Sequence, residues 1–536
     1  MLKKHSALLT LSSIKLIILI ALFWMAFANI SFFTALLQDY PLNGKNAVFL
    51  ATLVFGFTAV IITVLSLLCF RRTTKPVVIV LLIASSMAAY FMDTYHILID
   101  SAMVRNTMET DTHEAGDLIS AGMFGYLLLL GIVPAIVVWR AKILFKPFRR
   151  EVLLRAKLVG VLALTLLVLL FVQSAATASF FREHKAIRLY SNPANYMFAM
   201  GRYVQYQLHA IPANDQPVTA LGEDAKIPDT DNRRDLVIMV VGETARADRF
   251  SLNGYRKHTN PLLEKQDVVS FSNVTSCATS TAISVPCMFS AKGETSFNVD
   301  KAGREENVLD MLQRSGAHVL WRENNSSAKG VADRVTYQRY LSAKTNTICN
   351  PECRDEGMLV GLQDYIDKQP SGDIVIVLHQ MGNHGPAYYK RYPKEFEVFT
   401  PTCQTNDLAA CSSEEIDNAY DNAILYTDYF LNHVIALLKK YDGKFDVSML
   451  YVSDHGESLG ENNVYLHGLP NFIAPKTQRH VPMIMWIGKH FDGLTMAELR
   501  AKKDMPLSHD NITHTLLGLL EVESNTYNRA LDLRNN

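Results

Sequence analysis

The chain has 536 residues, 52 Lys+Arg against 52 Asp+Glu, 49% hydrophobic and 19% charged residues, and 7 cysteines. That length allows three or four soluble domains, or fewer if membrane-embedded segments take part of it. Neutrality argues against a nucleic-acid binder, which needs a basic surplus, and the composition excludes a collagen, a disordered polyampholyte and a tiny disulfide scaffold.

Those averages join two unlike halves, because charged residues are sparse before Arg182 and frequent after it. Five apolar stretches precede Arg182: Leu16 to Leu37, Asn46 to Cys69, Pro76 to Tyr95, Ile119 to Trp139 and Leu158 to Ala178. Each is near the ~20 residues that a helix needs to cross a hydrocarbon core. The first is longer than the ~7–15 residue apolar core of a signal peptide and is followed by four more, so it reads as a span. Loop charges orient the spans, because Lys and Arg near span ends are retained in the cytoplasm. Lys3, Lys4 and Lys15 flank the start of the first span, and Arg71, Arg72 and Lys75 lie in the second connection. The fourth carries Arg140, Lys142, Lys146, Arg149, Arg150, Arg155 and Lys157 against Glu151 alone. The third, Ile97 to Leu118, instead holds Asp100, Glu109, Asp111, Glu114 and Asp117, with Arg105 as its only Lys or Arg. The N-terminus is therefore expected in the cytoplasm, and everything after the fifth crossing outside it.

Cysteine usage agrees with export. Cys69 sits alone within the second span, whereas Cys277 with Cys287, Cys349 with Cys353 and Cys403 with Cys411 form close pairs that read as local disulfides. A zinc knuckle is the rival reading, but no pair has C-x-x-C spacing or a His placed to complete four ligands. From Phe180 to about Arg234 the chain mixes aromatics with charges and then becomes Pro- and Asp-rich. This predicts amphipathic helices, either at the membrane surface or packed on the soluble domain, followed by an exposed linker. The expected organisation is thus a five-helix transmembrane domain over 1–179, a bridging segment over 180–234 and an exported domain over 235–536.

Beyond Asp235, short β-branched runs alternate with helical segments. Strands are predicted at Leu236 to Val241, Ile374 to Leu378, Ser448 to Val452 and, more weakly, Val319 to Arg322, with helices at Val308 to Ser315 and Glu414 to Lys440. Near-continuous apolar strands indicate an α/β domain with a largely parallel, covered sheet, whose chemistry collects beyond the carboxyl ends of the strands. Glu243 follows the first strand, His379 and His384 share the loop after the second, and Asp454, His455 and then His467 follow the third. Carboxylate and imidazole are the ligands of catalytic zinc. Singly, each residue has an ordinary explanation as a helix cap or a satisfied polar group. Three strand ends carrying such groups are harder to explain that way. A nucleophile is available in SNVTSCATSTAISVPCMFS, where Thr279, Ser280, Thr281 and Ser284 lie between Cys277 and Cys287. A hydroxyl at a helix N-terminus suits attack on phosphorus, but the residues alone do not choose among these four.

Five apolar spans, GET after the first strand, Cys-A-T-S-T, HQMGNHGP and SDHGESLGE together resemble the lipid A phosphoethanolamine transferases of Gram-negative inner membranes. That group spans chromosomal and mobile colistin-resistance enzymes, and its periplasmic domain belongs to the alkaline phosphatase-like superfamily. The resemblance implies zinc ligands at Glu243, Asp454 and His455, and a metal-bound nucleophile at Thr281 that becomes modified with phosphoethanolamine. It places His379, His384 and His467 around the phosphate or a second, loosely held zinc. Asn325 and Lys329 would contact the transferred group, and Asn106, Thr110 and Glu114 of the acidic outer loop the head group. The pair Cys349 and Cys353 closes a shorter loop than in some relatives.

The implied reaction is ping-pong transfer of phosphoethanolamine from phosphatidylethanolamine to a phosphate of lipid A by a monomeric, zinc-dependent enzyme with no nucleic-acid partner. Added ammonium groups lower surface anionic charge and weaken capture of polymyxins. The alternatives are phosphoglycerol or phosphoethanolamine transfer to another envelope glycan, and a non-enzymatic envelope sensor. A sulfatase or phosphodiesterase is disfavoured by the lack of a C-x-P-x-R signature.

Overall fold

The computed structural model describes residues 9–44, 46–109, 112–209, 218–228, 233–350 and 352–535. The chain divides into two compact units, Met1–Val104 with Ile119–Gln205, and Arg105–Leu118 with Tyr206–Asn536.

In the first unit, Ala47–Leu68, Thr74–Tyr95, Ala121–Arg140 and Phe148–Val172 are long and apolar enough to cross a membrane. Ser13–Phe27 and Ile30–Asp39 qualify only together and meet at 61°, so the described residues give four spans, or five if the bent pair is one. Asn29 makes the bend: its amide donates to Trp24 O at 2.9 Å and to Asn192 O at 2.6 Å, while Asn192 N–H donates back to its Oδ1 at 2.8 Å. Within Ala121–Arg140 the turns at Leu127–Ile132 are π-helical, immediately before Pro134. Proline lacks the N–H that the regular ladder requires, so the hydrogen bonds shift there. The last long helix starts about ten residues before the predicted span, at Phe148, and a further helix, Ser174–Glu183, follows the break at Gln173. The charge of the basic run predicts a loop, but Arg and Lys are good helix formers and Arg155 is accommodated by Glu151 one turn away. Outward-facing side chains such as Phe171, 83% exposed, are those of a lipid-facing surface. The helices Ser174–Glu183, Lys185–Leu189 and Ala194–His209 occupy the predicted aromatic, charged segment.

The second unit is built on a seven-stranded sheet. In chain order its strands are β1 (Asp235–Gly242), β2 (Val269–Phe271), β3 (His318–Glu323), β4 (Thr336–Arg339), β5 (Ile374–His379), β6 (Asp446–Ser453) and β7 (Met483–Ile487). Their spatial order is β2-β7-β6-β1-β5-β3-β4. All pairings are parallel except those of β7, which runs antiparallel to β6 and β2. β1 is central and every one of its residues is buried, which explains its uninterrupted apolar run. The four predicted strands are present, each extended by one to three residues. Helices Ser413–Leu438 and Val308–Arg314 open with capping boxes, Ser412 with Glu415 and Asn307 with Asp310.

Arg105–Leu118, assigned from sequence to the transmembrane domain, packs with the second unit. Its anchor is Asp117, whose carboxylate accepts from Lys390 Nζ and from Arg391 Nη2, each at 2.5 Å, and whose carbonyl accepts from Asn406 Nδ2 at 2.9 Å. Arg105 adds an ion pair with Asp300.

Candidate active site

Register carries the end of β1 to the centre of the site. Val241 lies opposite His379 on β5, Gly242 opposite Ser453 on β6, and His379 opposite Glu323 on β3. Side chains just past these ends therefore converge. Ligand atoms of Glu243, Asp454 and His455 all lie within 4.8 Å of one another, and all three residues are buried.

The loop after β1 is held in an unusual conformation. Thr244 has φ of 61°, a left-handed value that a β-branched residue rarely adopts. Its N–H donates to Asp454 Oδ1 at 3.1 Å, its hydroxyl donates to Glu243 Oε1 at 2.6 Å, and its carbonyl accepts from Tyr420 Oη at 2.7 Å. The facing loop comes just as close: a Cβ on Gly382, whose φ is +51°, would lie 2.9 Å from the Glu243 carbonyl oxygen. Glycine is required at that position.

The structure separates the four candidate hydroxyls. Thr279 donates to Leu469 O at 2.6 Å and Ser284 to Asp454 O, while Ser280 is the N-cap of the helix Thr281–Met288. Thr281 Oγ1 lies 3.3 and 3.2 Å from the two Glu243 oxygens and 3.2 Å from His455 Nε2. The Cys277–Cys287 disulfide ties the preceding loop to the last turn of this helix, and Cys349–Cys353 and Cys403–Cys411 are also paired.

The donors fit a divalent cation. His455 Nδ1–H donates to Gly456 O at 2.9 Å, which leaves the Nε2 lone pair facing Asp454 Oδ2 at 3.3 Å. That carboxylate oxygen is buried without a hydrogen-bond partner among the described residues. Burial opposes protonation of His455, but Asp454 and Glu243 more than offset it and raise its pKa, the mark of a surplus of negative charge. Two carboxylate oxygens, one imidazole nitrogen and a hydroxyl make a mixed N/O set of the kind zinc accepts.

Asn325 Nδ2 donates to Glu243 Oε2 at 2.7 Å and to Gln380 O at 3.0 Å. His379 Nδ1 donates to Glu323, and its buried Nε2 has no hydrogen-bond partner among the described residues. Burial disfavours its charged form, yet the Glu323 carboxylate outweighs burial and raises the pKa. The His467 ring is tilted against that of His455 at 4.3 Å, and its pKa is pushed down to about 3 by burial and by the His455 charge. His384, 5.9 Å from His467, falls to about 4 through burial, with Arg391 and its histidine neighbours adding to the effect. Lys329 Nζ bonds Ser326 Oγ at 3.0 Å. Asn106 is half-buried on the helix Ser101–Glu109. Thr110 and the Glu114 side chain lie outside the described residues. Glu109 of the outer loop feels Lys329: burial raises its pKa, while Lys329 and Arg105 pull it down.

Several supporting residues were missed from sequence. Glu323 holds Trp321 Nε1, Asn325 N–H and His379, and it sits at a strand end where the rule that found Glu243 applies. Asp355 accepts from Met381 N–H and Gly382 N–H, fixing the histidine loop. His509 accepts from Cys277 N–H at 3.2 Å and donates to Ser453 O at 3.0 Å. Neither Asp355 nor His509 lies near a recognisable motif.

A parallel sheet with a buried carboxylate, carboxylate and imidazole cluster at its carboxyl edge, beside a helix-opening hydroxyl, defines a sulfatase-type domain, here joined to apolar membrane helices. Residues 235–522 match the sulfatase family, and residues 57–208 match the family described as phosphoethanolamine transferase EptA/EptB. The chain is 44% identical over 513 residues to the phosphatidylethanolamine transferase Mcr-2 of Escherichia coli, covering 94% of each chain. It is 40% identical to the phosphoethanolamine transferase EptA of Salmonella typhimurium, covering 99% of this chain and 98% of that one. The solved integral membrane protein lipooligosaccharide phosphoethanolamine transferase A of Neisseria meningitidis superposes with a TM-score of 0.91 at 34% identity, covering 98% of both chains. The chain belongs to the EptA/EptB phosphoethanolamine transferase family.

Proposed function

We propose that this protein transfers phosphoethanolamine from phosphatidylethanolamine to a phosphate of lipid A, and that the product lowers susceptibility to polymyxins. The observation that carries the reading is the position of Thr281 Oγ1, 3.2 Å from both Glu243 and His455, in a chain with full-length likeness to a phosphatidylethanolamine transferase. A zinc ion held by Glu243, Asp454, His455 and Thr281 would supply Lewis-acid stabilisation of negative charge at the nucleophile and the phosphoryl group. In the first half-reaction the Thr281 oxygen bonds to phosphorus, the bond to the diacylglycerol oxygen breaks, and that oxygen takes a proton. In the second, a lipid A phosphate oxygen attacks phosphorus and the Thr281 oxygen leaves, regaining its proton. Asn325 orients Glu243, while His379 and Lys329 offset charge on the phosphoryl oxygens. His384 and His467, neutral at pH 7, can donate or accept there. Asn106, Thr110 and Glu114 would receive the ammonium group. The Lys/Arg bias supports a cytoplasmic N-terminus, five crossings and a periplasmic catalytic domain.

The test is peptide mass mapping of the purified protein after incubation with phosphatidylethanolamine. A phosphoethanolamine increment is expected on Thr281, absent in Thr281→Ala, together with the same increment on lipid A phosphate in expressing cells. An adduct on Ser280 or Ser284, or an increment on a core sugar alone, counts against the reading.

A further inference from the structure

The first unit contains a cavity of about 760 Å³ that no step of the transfer uses. It opens where the connection around Phe70–Thr73 meets Ile143–Phe148, at the Lys- and Arg-rich end of the helices. The charge rule puts that end at the cytoplasmic leaflet, at headgroup depth. Arg71, Arg72 and Lys146 line the cavity, their side chains are exposed, and none has a carboxylate partner among the described residues. Glu151, the one acidic residue lining it, is already committed. It accepts from Arg155 Nε and Nη2 at 3.1 Å, from Lys146 N–H at 3.0 Å and from the Ser13 hydroxyl. Arg155 in turn donates to Ser66 O at 2.9 Å and lies 5.0 Å from the Phe70 ring. The cavity thus combines an aromatic wall, Phe70 against Phe148 at 6.1 Å, with three unneutralised cations at its mouth.

A phosphodiester satisfies such cations, and a glycerol and acyl stem suits the aromatic wall. A zwitterionic lipid would bring an ammonium among three cations, so the donor substrate of the transfer reaction fits poorly. We propose that this cavity binds the phosphodiester headgroup of an anionic phospholipid without an ammonium group, the chemistry of phosphatidylglycerol.

Native mass spectrometry and thermal melts of the full-length protein in detergent test this, using phosphatidylglycerol, phosphatidylethanolamine and inorganic phosphate as separate probes. Phosphatidylglycerol is expected to be retained and to raise Tm by several degrees, with at least tenfold weaker retention of phosphatidylethanolamine. The triple variant Arg71→Gln, Arg72→Gln, Lys146→Gln should lose at least tenfold in phosphatidylglycerol affinity while transferase turnover in detergent is unchanged. Arg149→Gln, Arg150→Gln, Lys157→Gln removes the same charge outside the cavity and should retain the lipid. Equal loss in both triples would reduce the effect to general charge attraction and overturn the proposal. So would equal stabilisation by inorganic phosphate, or equal retention of the two lipids by the unmutated protein.

Discussion

At the scale of single residues, the candidate site is braced by a buried carboxylate beside it. Glu323 is fully buried and its carboxylate takes three donors: Trp321 Nε1, Asn325 N–H and His379 Nδ1. Through the last two it sets the charge of one proposed phosphate-facing group and the position of another. Glu323→Gln keeps the shape but replaces one acceptor oxygen with an amide donor and removes the charge that raises the His379 pKa. Turnover should fall ~10–100-fold, the usual effect of a supporting partner, with a loss of stability of about 1–3 kcal/mol. Steady-state kinetics beside thermal melts separate the two, and an unchanged kcat would remove Glu323 from the account. Glu243, Asp454 and His455 were legible in the sequence because they come two or three residues after largely apolar runs. Glu323 was harder to see because Arg322, which stacks on Tyr340 at 4.9 Å, breaks the apolar pattern just before it. The residues alone leave four hydroxyls open and the family resemblance points to Thr281; the fold adds the contacts that commit Thr279 and Ser284 elsewhere.

At the scale of elements, the outer loop and the histidine loop are linked. Asp117 pairs with Arg391, and Arg391 Nε donates at 2.6 Å to the carbonyl of His384. Burial would raise the Asp117 pKa, but Arg391 and Lys390 together hold it below the ordinary carboxylate value. The stability contributed by a depressed carboxylate is present above its unfolded pKa and is lost as pH falls through the folded value, so it should be constant between pH 5 and 8. Asp117→Asn should remove it at every pH, costing on the order of 2–4 kcal/mol because Arg391 is left buried with one partner fewer. It should also raise amide exchange in 105–118 and lower kcat/KM for phosphatidylethanolamine. Unaltered exchange would show that the loop is held by other means. None of this was visible in sequence, where Asp117 was one acid among five in a loop whose composition export alone explains. The apolar runs of β1, β5 and β6 were readable, whereas the equally apolar and buried five-residue β7 was not predicted. The three-residue β2 and the exposed, polar β4 were not, because their pairing is set by neighbours and not by their own pattern.

For the whole molecule, the hydropathy and charge contrast gave both halves, since water and lipid select compositions over long windows. Element ends inside the first unit followed helix propensity and local pairing instead, as the early start of the last long helix shows. A cation held by the buried Glu243 and Asp454 carboxylates, as proposed, would make the second unit's stability depend on it. Prolonged chelation should lower its Tm, and added zinc should restore it by RT ln(1 + [Zn]/Kd), ~4 kcal/mol at a thousandfold excess over Kd. Insensitivity of Tm to both treatments would argue against a metal at this triad.

The packing of Arg105–Leu118 with the second unit bears on how the enzyme can be cut apart. A fragment beginning at residue 206 lacks Asp117, so Arg391 and Lys390 lose a carboxylate that both share. Such a fragment carries a surplus positive charge beneath the His384 loop. Inhibitor screens run on the excised half would therefore favour acidic compounds that the intact enzyme, with its own acid already in place, would turn away.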